Sequence, residues 1–413
     1  MPPASSASRW TPAVDSPYSW LRLAITLVLG TIGSIGMWVA VVVLPEAQAE
    51  FGVDRSGAAL PYAATMVGFG FGNIIIGRFA DRLGITIPVI IAALALGAGF
   101  IVGAQVETIW ELTLVQGMLI GIGTGAGFGP LIADLSHWFR KRRGMAVGAA
   151  ASGNYLAGAI WPTIVQDFVA TDGWRDAYMF IGFFCMATMI PLALMLRRKL
   201  PTRFAVDGSV AVEKENLLQS PYSARGLQWL LAIAGVGCCV AMSMPQVHIV
   251  SYCVDLGYGA AAGAEMLALM SAAGVISRLG SGFLADYIGG VRTVLLGSVL
   301  QCAALFFFLP FDGLVPLYVV CLLFGLSQGG IVPSYAIVVR EYMPAREAGS
   351  RIGTIVAATI FGMALGGWIS GEIYDYTGSY ELAFVNGIAW NLMNMGIILS
   401  LMWRTRTPRL AVA

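Results

Sequence analysis

The chain has 413 residues, of which 58% are hydrophobic and 11% are charged, and its mean hydropathy is +0.78. Soluble domains carry about 25% charged residues, so this composition excludes a water-soluble fold. The formal net charge of +1 argues against a nucleic-acid-binding protein, which would carry a basic stripe or patch. We therefore expect a lipid bilayer, and no nucleic acid, as a partner.

Apolar runs separated by charged or turn-rich segments recur along the whole chain. The hydrocarbon core of a bilayer is about 30 Å thick and needs about 20 apolar residues in a helix. The fold predicted is an all-α membrane protein with twelve transmembrane helices, near residues 23–44, 58–77, 85–106, 112–133, 145–165, 177–196, 226–250, 262–285, 294–309, 314–339, 352–371 and 382–403.

The predicted helices fall into two groups of six. We expect an N-terminal tail, a first six-helix half, a polar central loop, a second six-helix half and a C-terminal tail, at residues 1–19, 20–197, 198–225, 226–403 and 404–413. The segment Gly77–Gly84 (GRFADRLG) recurs 205 residues later as Gly282–Gly289 (GFLADYIG). This spacing predicts that the two halves are parallel repeats of one unit.

The distribution of Lys and Arg predicts the orientation. With twelve spans both termini lie on one face, which carries 21 of the 24 basic residues. Arg55 and Arg175 lie on the other face, and Arg278 lies within the eighth span. Cytoplasmic loops are enriched in basic residues, so both termini are predicted to be cytoplasmic. The short tails and loops favour the inner membrane of a bacterium.

The repeated loops contain glycines suited to a tight reversal and an aspartate in each copy. The residues singled out are Gly77, Asp81, Arg82 and Gly84 in the first copy and Gly282 and Asp286 in the second. Two interpretations stay open. The aspartates either cap helices within turns, or they form a gate latch that breaks and reforms as the halves move.

The segment Gly77–Gly84 resembles the loop signature of the major facilitator superfamily. That resemblance implies two parallel halves, a substrate site near the bilayer midplane and alternating access. The segment Phe139–Gly158 places Arg142 and Arg143 before spaced small residues and resembles the loop and fifth-helix signature of the monocarboxylate porter family. The segment Gly371–Phe384 resembles the same family.

Arg278 is the basic residue predicted well inside a span, about 10 Å from the cytoplasmic end at about 1.5 Å per residue. A cation there costs at least about 2.5 kcal/mol, and a guanidinium matches a carboxylate. We predict that it anchors a small organic anion with one carboxylate, and it matches the substrate-binding arginine of the resembled family. Eukaryotic members have an aspartate where this chain has Gly274. Alternatively, Arg278 snorkels or pairs with Asp134 or Asp286.

Other polar and aromatic side chains are candidates for the substrate site. His248 either relays a proton or is a satisfied polar residue of the helix packing. Asn154 and Tyr155 in the fifth span, Tyr335 in the tenth and Phe361 in the eleventh either line the cavity or pack between helices.

Three functions stay open at this level. The first is a secondary transporter of small organic monocarboxylates, by symport with protons, uniport or anion exchange. The second is an exporter of a neutral or drug-like solute. The third is a carboxylate-binding membrane sensor, which would need a signalling domain. The chain lacks a glycine-rich phosphate loop and a nucleophile-base arrangement, so we expect no enzyme, no cofactor and no metal site.

Overall fold

The computed structural model describes residues 14–139, 142–198, 222–343 and 345–405. These residues form twelve helical spans, numbered in chain order: Pro17–Val42, Arg55–Leu83, Thr86–Gly103, Ile109–Ser136, Gly153–Asp172, Trp174–Met195, Ala224–Asp255, Gly259–Ile288, Gly290–Phe307, Leu314–Tyr342, Ala345–Thr377 and Glu381–Thr405. Two shorter helices, Leu44–Phe51 and Arg143–Ala151, precede spans 2 and 5.

Eleven of these helices are long and apolar enough to cross a membrane. The remaining one, span 5, has 20 residues and is more polar, because it contains Asn154, Gln166 and Asp167. It packs against spans 1 and 8, and of these side chains Gln166 is buried whereas Asp167 is exposed. The all-α fold with twelve spans predicted from the sequence is confirmed.

The described helices begin or end two or three residues from the predicted limits of the two halves, and the division into domains stays a prediction. The first span begins at Pro17, inside the predicted tail of residues 1–19, and the last continues to Thr405. Residues 1–13, 199–221 and 406–413 lie outside the described residues, and they include most of both predicted tails and of the central loop.

The turn predicted for Gly77–Gly84 starts later than expected. Span 2 stays helical through Gly77 to Leu83, and Gly84 then takes a φ of +78°. In the second copy the helix continues through Gly282, and Gly289 takes a φ of +82°. The role given to Gly77 and Gly282 in the reversal is wrong, because only the glycine after the helix end adopts the left-handed backbone. The 205-residue repeat is confirmed, since Gly84 and Gly289 are equivalent.

The two halves meet along two pairs of helices, span 2 with span 11 and span 5 with span 8. Small residues permit the close approach. A Cβ atom added to Gly371 would lie 2.7 Å from the Cα of Ser56, and one added to Gly274 would lie 2.6 Å from the Tyr155 ring. We call the face at which Pro17 and Thr405 lie the terminal face, and the opposite one the distal face.

Candidate substrate-binding site

A cavity lies between the two halves near the middle of the helices. Arg278 and Asn154 line it, as predicted from the sequence, and Tyr155 lies beside them. Spans 1 and 2 add Trp38 and Tyr62 to the wall. The cavity therefore draws side chains from both repeats, which is the location expected for a site exposed alternately to the two faces.

The Arg278 guanidinium is held by backbone carbonyls at two helix interruptions. Its Nη1 donates to the Ala151 carbonyl oxygen over 2.7 Å, and its Nε donates to the Gly329 oxygen over 3.3 Å. Ala151 ends the short helix before span 5, and Gly329 lies where span 10 is broken after Gln328. Carbonyls at helix ends lack an intrahelical donor, so the breaks supply acceptors that fix the arginine.

The positive charge of Arg278 has no carboxylate partner among the described residues. Asp134, a partner considered from the sequence, instead forms an ion pair of 2.7 Å with Arg22. Asp286 is exposed and has neither an ion pair nor a hydrogen bond within the described part of the chain. Since Arg278 is also the only charged side chain that lines the cavity among the residues the structure describes, the site is electropositive and suits one anionic group.

The Tyr155 ring lies against the Arg278 guanidinium. The Arg278 Cζ lies 4.5 Å from the centre of the Tyr155 ring, a cation–π contact that favours the charged form. The same ring fills the space above Gly274. An aspartate at position 274 would collide with this ring. The position of Tyr155 therefore requires a glycine at residue 274.

His248 lies outside the cavity wall. Its side chain is fully buried, and both ring nitrogens are hydrogen-bonded, Nδ1 to the Tyr380 hydroxyl at 3.0 Å and Nε2 to the Gly367 oxygen at 2.7 Å. A Cβ atom added to Gly367 would lie 3.1 Å from the ring of Tyr62, which does line the cavity. His248 is therefore one layer behind the cavity, on its distal side.

Two further residues that the sequence predicted for the cavity, Tyr335 and Phe361, do not line it. Tyr335 is buried within the second half and donates a hydrogen bond of 2.8 Å to Asn394 Oδ1. Phe361 is 56% exposed on the outer surface of span 11. The sequence could not distinguish the faces of these helices, because the hydrophobicity of a membrane helix is similar on its lipid side and its protein side.

Most of the aromatic wall was missed by the sequence reasoning. Trp38, Tyr62, Phe69 and Phe128 all line the cavity. Trp38 is held in place by a hydrogen bond of 3.1 Å from its Nε1 to the Asn154 oxygen. In sequence these residues are single aromatic side chains within apolar runs, and no spacing distinguishes them from helix packing.

The halves are joined at the distal face by a charged cluster that we call the distal latch, formed by Arg55, Asp255, Asp375 and Tyr380. Arg55 Nη2 pairs with Asp255 Oδ1 at 3.0 Å, and Nη1 donates to the Tyr380 hydroxyl at 3.1 Å. The Asp375 carboxylate accepts the backbone N–H groups of Arg55 and Ser56, each at 2.8 Å. A carboxylate of the second half thus caps a helix start of the first.

A second ionic cluster stabilises the distal end of the first half. Arg175 donates to Glu50 Oε1 and to the carbonyl oxygens of Ala104 and Val106, at distances of 2.6 to 3.0 Å. Partial burial raises the pKa of the Glu50 carboxyl, but the hydrogen bonds from Arg175 and Trp174 lower it by more. Its pKa therefore lies below the usual value, and the carboxylate form is favoured.

Within the described part of the chain, the residues of the repeated motif form no ionic cluster at the terminal face comparable with the distal latch. Asp81, Arg82 and Asp286 are exposed on their helices, without an ion pair or hydrogen bond to any residue that the structure describes. Arg142 is exposed near the ring of Trp20. Of Arg143 only the backbone is described, at the start of the helix before span 5. The latch interpretation of the aspartates stays a prediction.

Comparisons with known proteins agree with this architecture. The sequence matches the Major Facilitator Superfamily over residues 26–355 and over residues 266–413. It is 25% identical over 333 residues to Monocarboxylate transporter 13 of Rattus norvegicus, covering 80% of this chain and 76% of that protein. It is 23% identical over 342 residues to the MFS-type transporter pynF of Aspergillus niger, covering 82% and 77%.

A solved structure shows the same fold. The crystal structure of a bacterial homolog of the human lysosomal transporter Spinster, in an inward-facing and unoccupied conformation, superimposes with a TM-score of 0.73. The match covers 95% of this chain and 99% of that chain at 13% identity. Because the family match covers most of the sequence and the helices repeat as two sets of six around a central cavity, the chain belongs to the Major Facilitator Superfamily of membrane transporters.

Proposed function

We propose that this transporter moves small organic monocarboxylates across the membrane by alternating access. The observation that carries the proposal is the unpaired charge of Arg278 in the cavity between the halves. A buried guanidinium without a counterion is costly, and its planar fork binds a carboxylate through two parallel hydrogen bonds. A carboxylate substrate would supply the missing counterion.

The number of cationic groups sets the charge of the substrate. Arg278 is the only basic side chain among the described residues that line the cavity, so it neutralises one carboxylate and would leave a second one without a partner. Sequence likeness supports the same substrate class, since a relative of 25% identity is named Monocarboxylate transporter 13 and the segment Phe139–Gly158 resembles that porter family.

The distal latch supports a rocking mechanism. With Arg55, Asp255 and Asp375 joining the halves at the distal face, the cavity would be reached from the terminal face. The basic residues concentrated on the terminal face favour a cytoplasmic position for both termini. In this proposal the protein lies in the inner membrane, and the latch must open before substrate exchanges with the outside.

Uptake by proteoliposomes tests the proposal. Labelled phenylacetate, pyruvate and lactate would be offered to the wild type and to Arg278→Gln, with and without an inward proton gradient. We expect saturable uptake of at least one acid, and a loss of at least 100-fold in the variant, because a buried charged hydrogen-bond pair is removed. Dependence on the gradient would separate proton symport from uniport and exchange.

A matched control is available in the same chain. Arg340 is exposed near the end of span 10 at the terminal face, and Arg340→Gln makes the same chemical change outside the cavity. It should transport like the wild type. If Arg278→Gln is folded, as judged by its thermal unfolding, and still transports the acids at the wild-type rate, the carboxylate proposal is wrong.

Export of a neutral, largely apolar solute is the second candidate. The aromatic residues in the cavity wall, among them Trp38, Phe69 and Phe128, favour it. The same assay decides between the two candidate functions, because the rate of transport of a neutral amide would be unchanged by Arg278→Gln.

A further inference from the structure

Away from Arg278, the wall of the cavity consists mainly of apolar side chains. Four methionines, Met37, Met66, Met242 and Met363, line it together with the four aromatic side chains of spans 1, 2 and 4. Methionine and aromatic side chains make favourable contacts with a ring. A two- or three-carbon acid held by the arginine would leave this apolar surface in contact with water.

Two polar side chains of the wall make contacts within the protein. The Asn154 amide nitrogen contacts Met37 Sδ at 3.6 Å, and its backbone oxygen accepts the Trp38 indole. The Thr359 hydroxyl donates to the Val356 oxygen at 2.7 Å. The Asn154 amide nitrogen and the Thr359 hydroxyl are therefore engaged within the protein.

Gln246 is a polar side chain of the cavity wall that lies toward its distal end. Its Nε2 donates to Gln328 Oε1 over 2.9 Å. Its Oε1 has no hydrogen-bond donor among the described residues, although the side chain is only 3% exposed. One free position of a buried amide therefore lies at the cavity, and a substrate hydroxyl, which can both donate and accept, would satisfy it.

Gln246 and Arg278 lie at different depths along the helices. Gln246 lies nine residues from the distal end of span 7 at Asp255, and Arg278 lies nineteen residues from the distal end of span 8 at Gly259. At about 1.5 Å per residue, the two backbone positions are about 15 Å apart along the membrane normal. Gln246 therefore lies distal to Arg278, and a substrate that contacts both extends along the membrane normal.

From these contacts we infer that the substrate is an aromatic monocarboxylate. Its carboxylate binds Arg278, its ring packs between Trp38, Tyr62 and Phe69, and a hydroxyl on the far side of the ring binds Gln246. This inference rests on the proposed function, since it assigns the carboxylate to the same arginine. It adds the substrate body and makes Gln246 a specificity-determining residue.

Binding to the purified full-length protein in lipid nanodiscs tests the inference with four probes: phenylacetate, 4-hydroxyphenylacetate, lactate and phenylacetamide. Burying about 100 Å² of ring surface strengthens binding by a factor of roughly 50, so phenylacetate should bind at least that much more tightly than lactate. The 4-hydroxy acid should gain a further factor of about five from one hydrogen bond. Gln246→Leu should abolish this difference between the two aromatic acids.

A pair of phenylalanine variants supplies the matched control. Phe69 packs in the cavity with its ring centre 6.1 Å from that of Phe128, whereas Phe361 is exposed on the outer surface. Phe69→Leu should weaken phenylacetate binding several-fold and leave the thermal unfolding midpoint within a few degrees. Phe361→Leu should change neither quantity.

The probes separate the failure of this inference from the failure of the proposed function. If lactate binds as tightly as phenylacetate and both need Arg278, the aromatic substrate is wrong and monocarboxylate transport stands. If phenylacetamide binds as tightly as phenylacetate, the carboxylate anchor itself is wrong, and both proposals fall. Absence of binding by both aromatic acids also overturns the inference.

Discussion

Removing the carboxylate of Asp255 should open the distal face. Its partner Arg55 is 7% exposed and is surrounded by the rings of Tyr374 and Tyr380. Removal of one partner of a buried ion pair costs about 3 to 5 kcal/mol. Because the Asp255 side chain is 27% exposed, solvent reduces this cost, and we expect about 2 kcal/mol.

The free-energy cost of losing the Asp255 carboxylate applies only to the conformation in which the halves are joined at the distal face. Once the halves separate at the distal face, Arg55 is hydrated and no longer needs Asp255, so Asp255→Asn destabilises the joined state alone. A change of about 2 kcal/mol shifts the equilibrium toward the distal-open state by a factor of about 30. Asp375→Asn should shift it less, by about 1 kcal/mol or a factor of about five, because that carboxylate is an exposed helix cap.

Electron–electron distance measurements between two spin labels would detect the shift. Glu107 and Asp312 are exposed distal-face residues of the two halves, and cysteines there would carry the labels after replacement of the half-exposed Cys302. The long-distance population should grow in the order wild type, Asp375→Asn, Asp255→Asn. Asp176→Asn, a change at another exposed distal carboxylate, is the control. An unchanged distance distribution in Asp255→Asn would refute the latch.

Three further substitutions test the packing and the charge pairs. Gly274→Ala places a methyl group 2.6 Å from the Tyr155 ring, and should lower stability by about 1 to 3 kcal/mol and weaken acid binding, as thermal unfolding and a binding titration would show. Arg22→Met leaves Asp134 without its partner at the terminal face and should cost about 3 kcal/mol, partly recovered when the aspartate is also changed to asparagine. Glu50→Gln should lower the unfolding temperature at pH 7. Because folding lowers the pKa of Glu50 below 4.5, its contribution is present above that pH and is lost as the pH falls further, so wild type and variant should converge in acid.

The number of spans and the repeat could be predicted from the sequence because each depends on local properties. A helix needs about 20 apolar residues to cross a bilayer. Runs of this length can be identified in the sequence without knowledge of any tertiary contact. Helix ends were predicted less well. Hydropathy marks the part of a helix in contact with lipid, whereas span 2 continues through the charged residues Arg78, Asp81 and Arg82 until Gly84 stops it.

The anchor of the candidate site was also visible in the sequence. Arg278 is conspicuous because a cation is costly inside a span, and that cost holds whichever neighbours the fold provides. The neighbours themselves were not predictable. That Asp134 pairs with Arg22 rather than with Arg278 depends on how spans 1 and 4 pack.

The face that each helix turns toward the cavity was decided by the tertiary structure alone. Phe361 and Phe69 lie in similar apolar runs, yet the first is exposed on the outer surface and the second lines the cavity. The distal latch is likewise a product of the fold, since Arg55 and Asp375 are 320 residues apart in sequence. In a membrane both faces of a helix are apolar, so the sequence determined that the helices form, and the packing of one half against the other determined which side chains build the site.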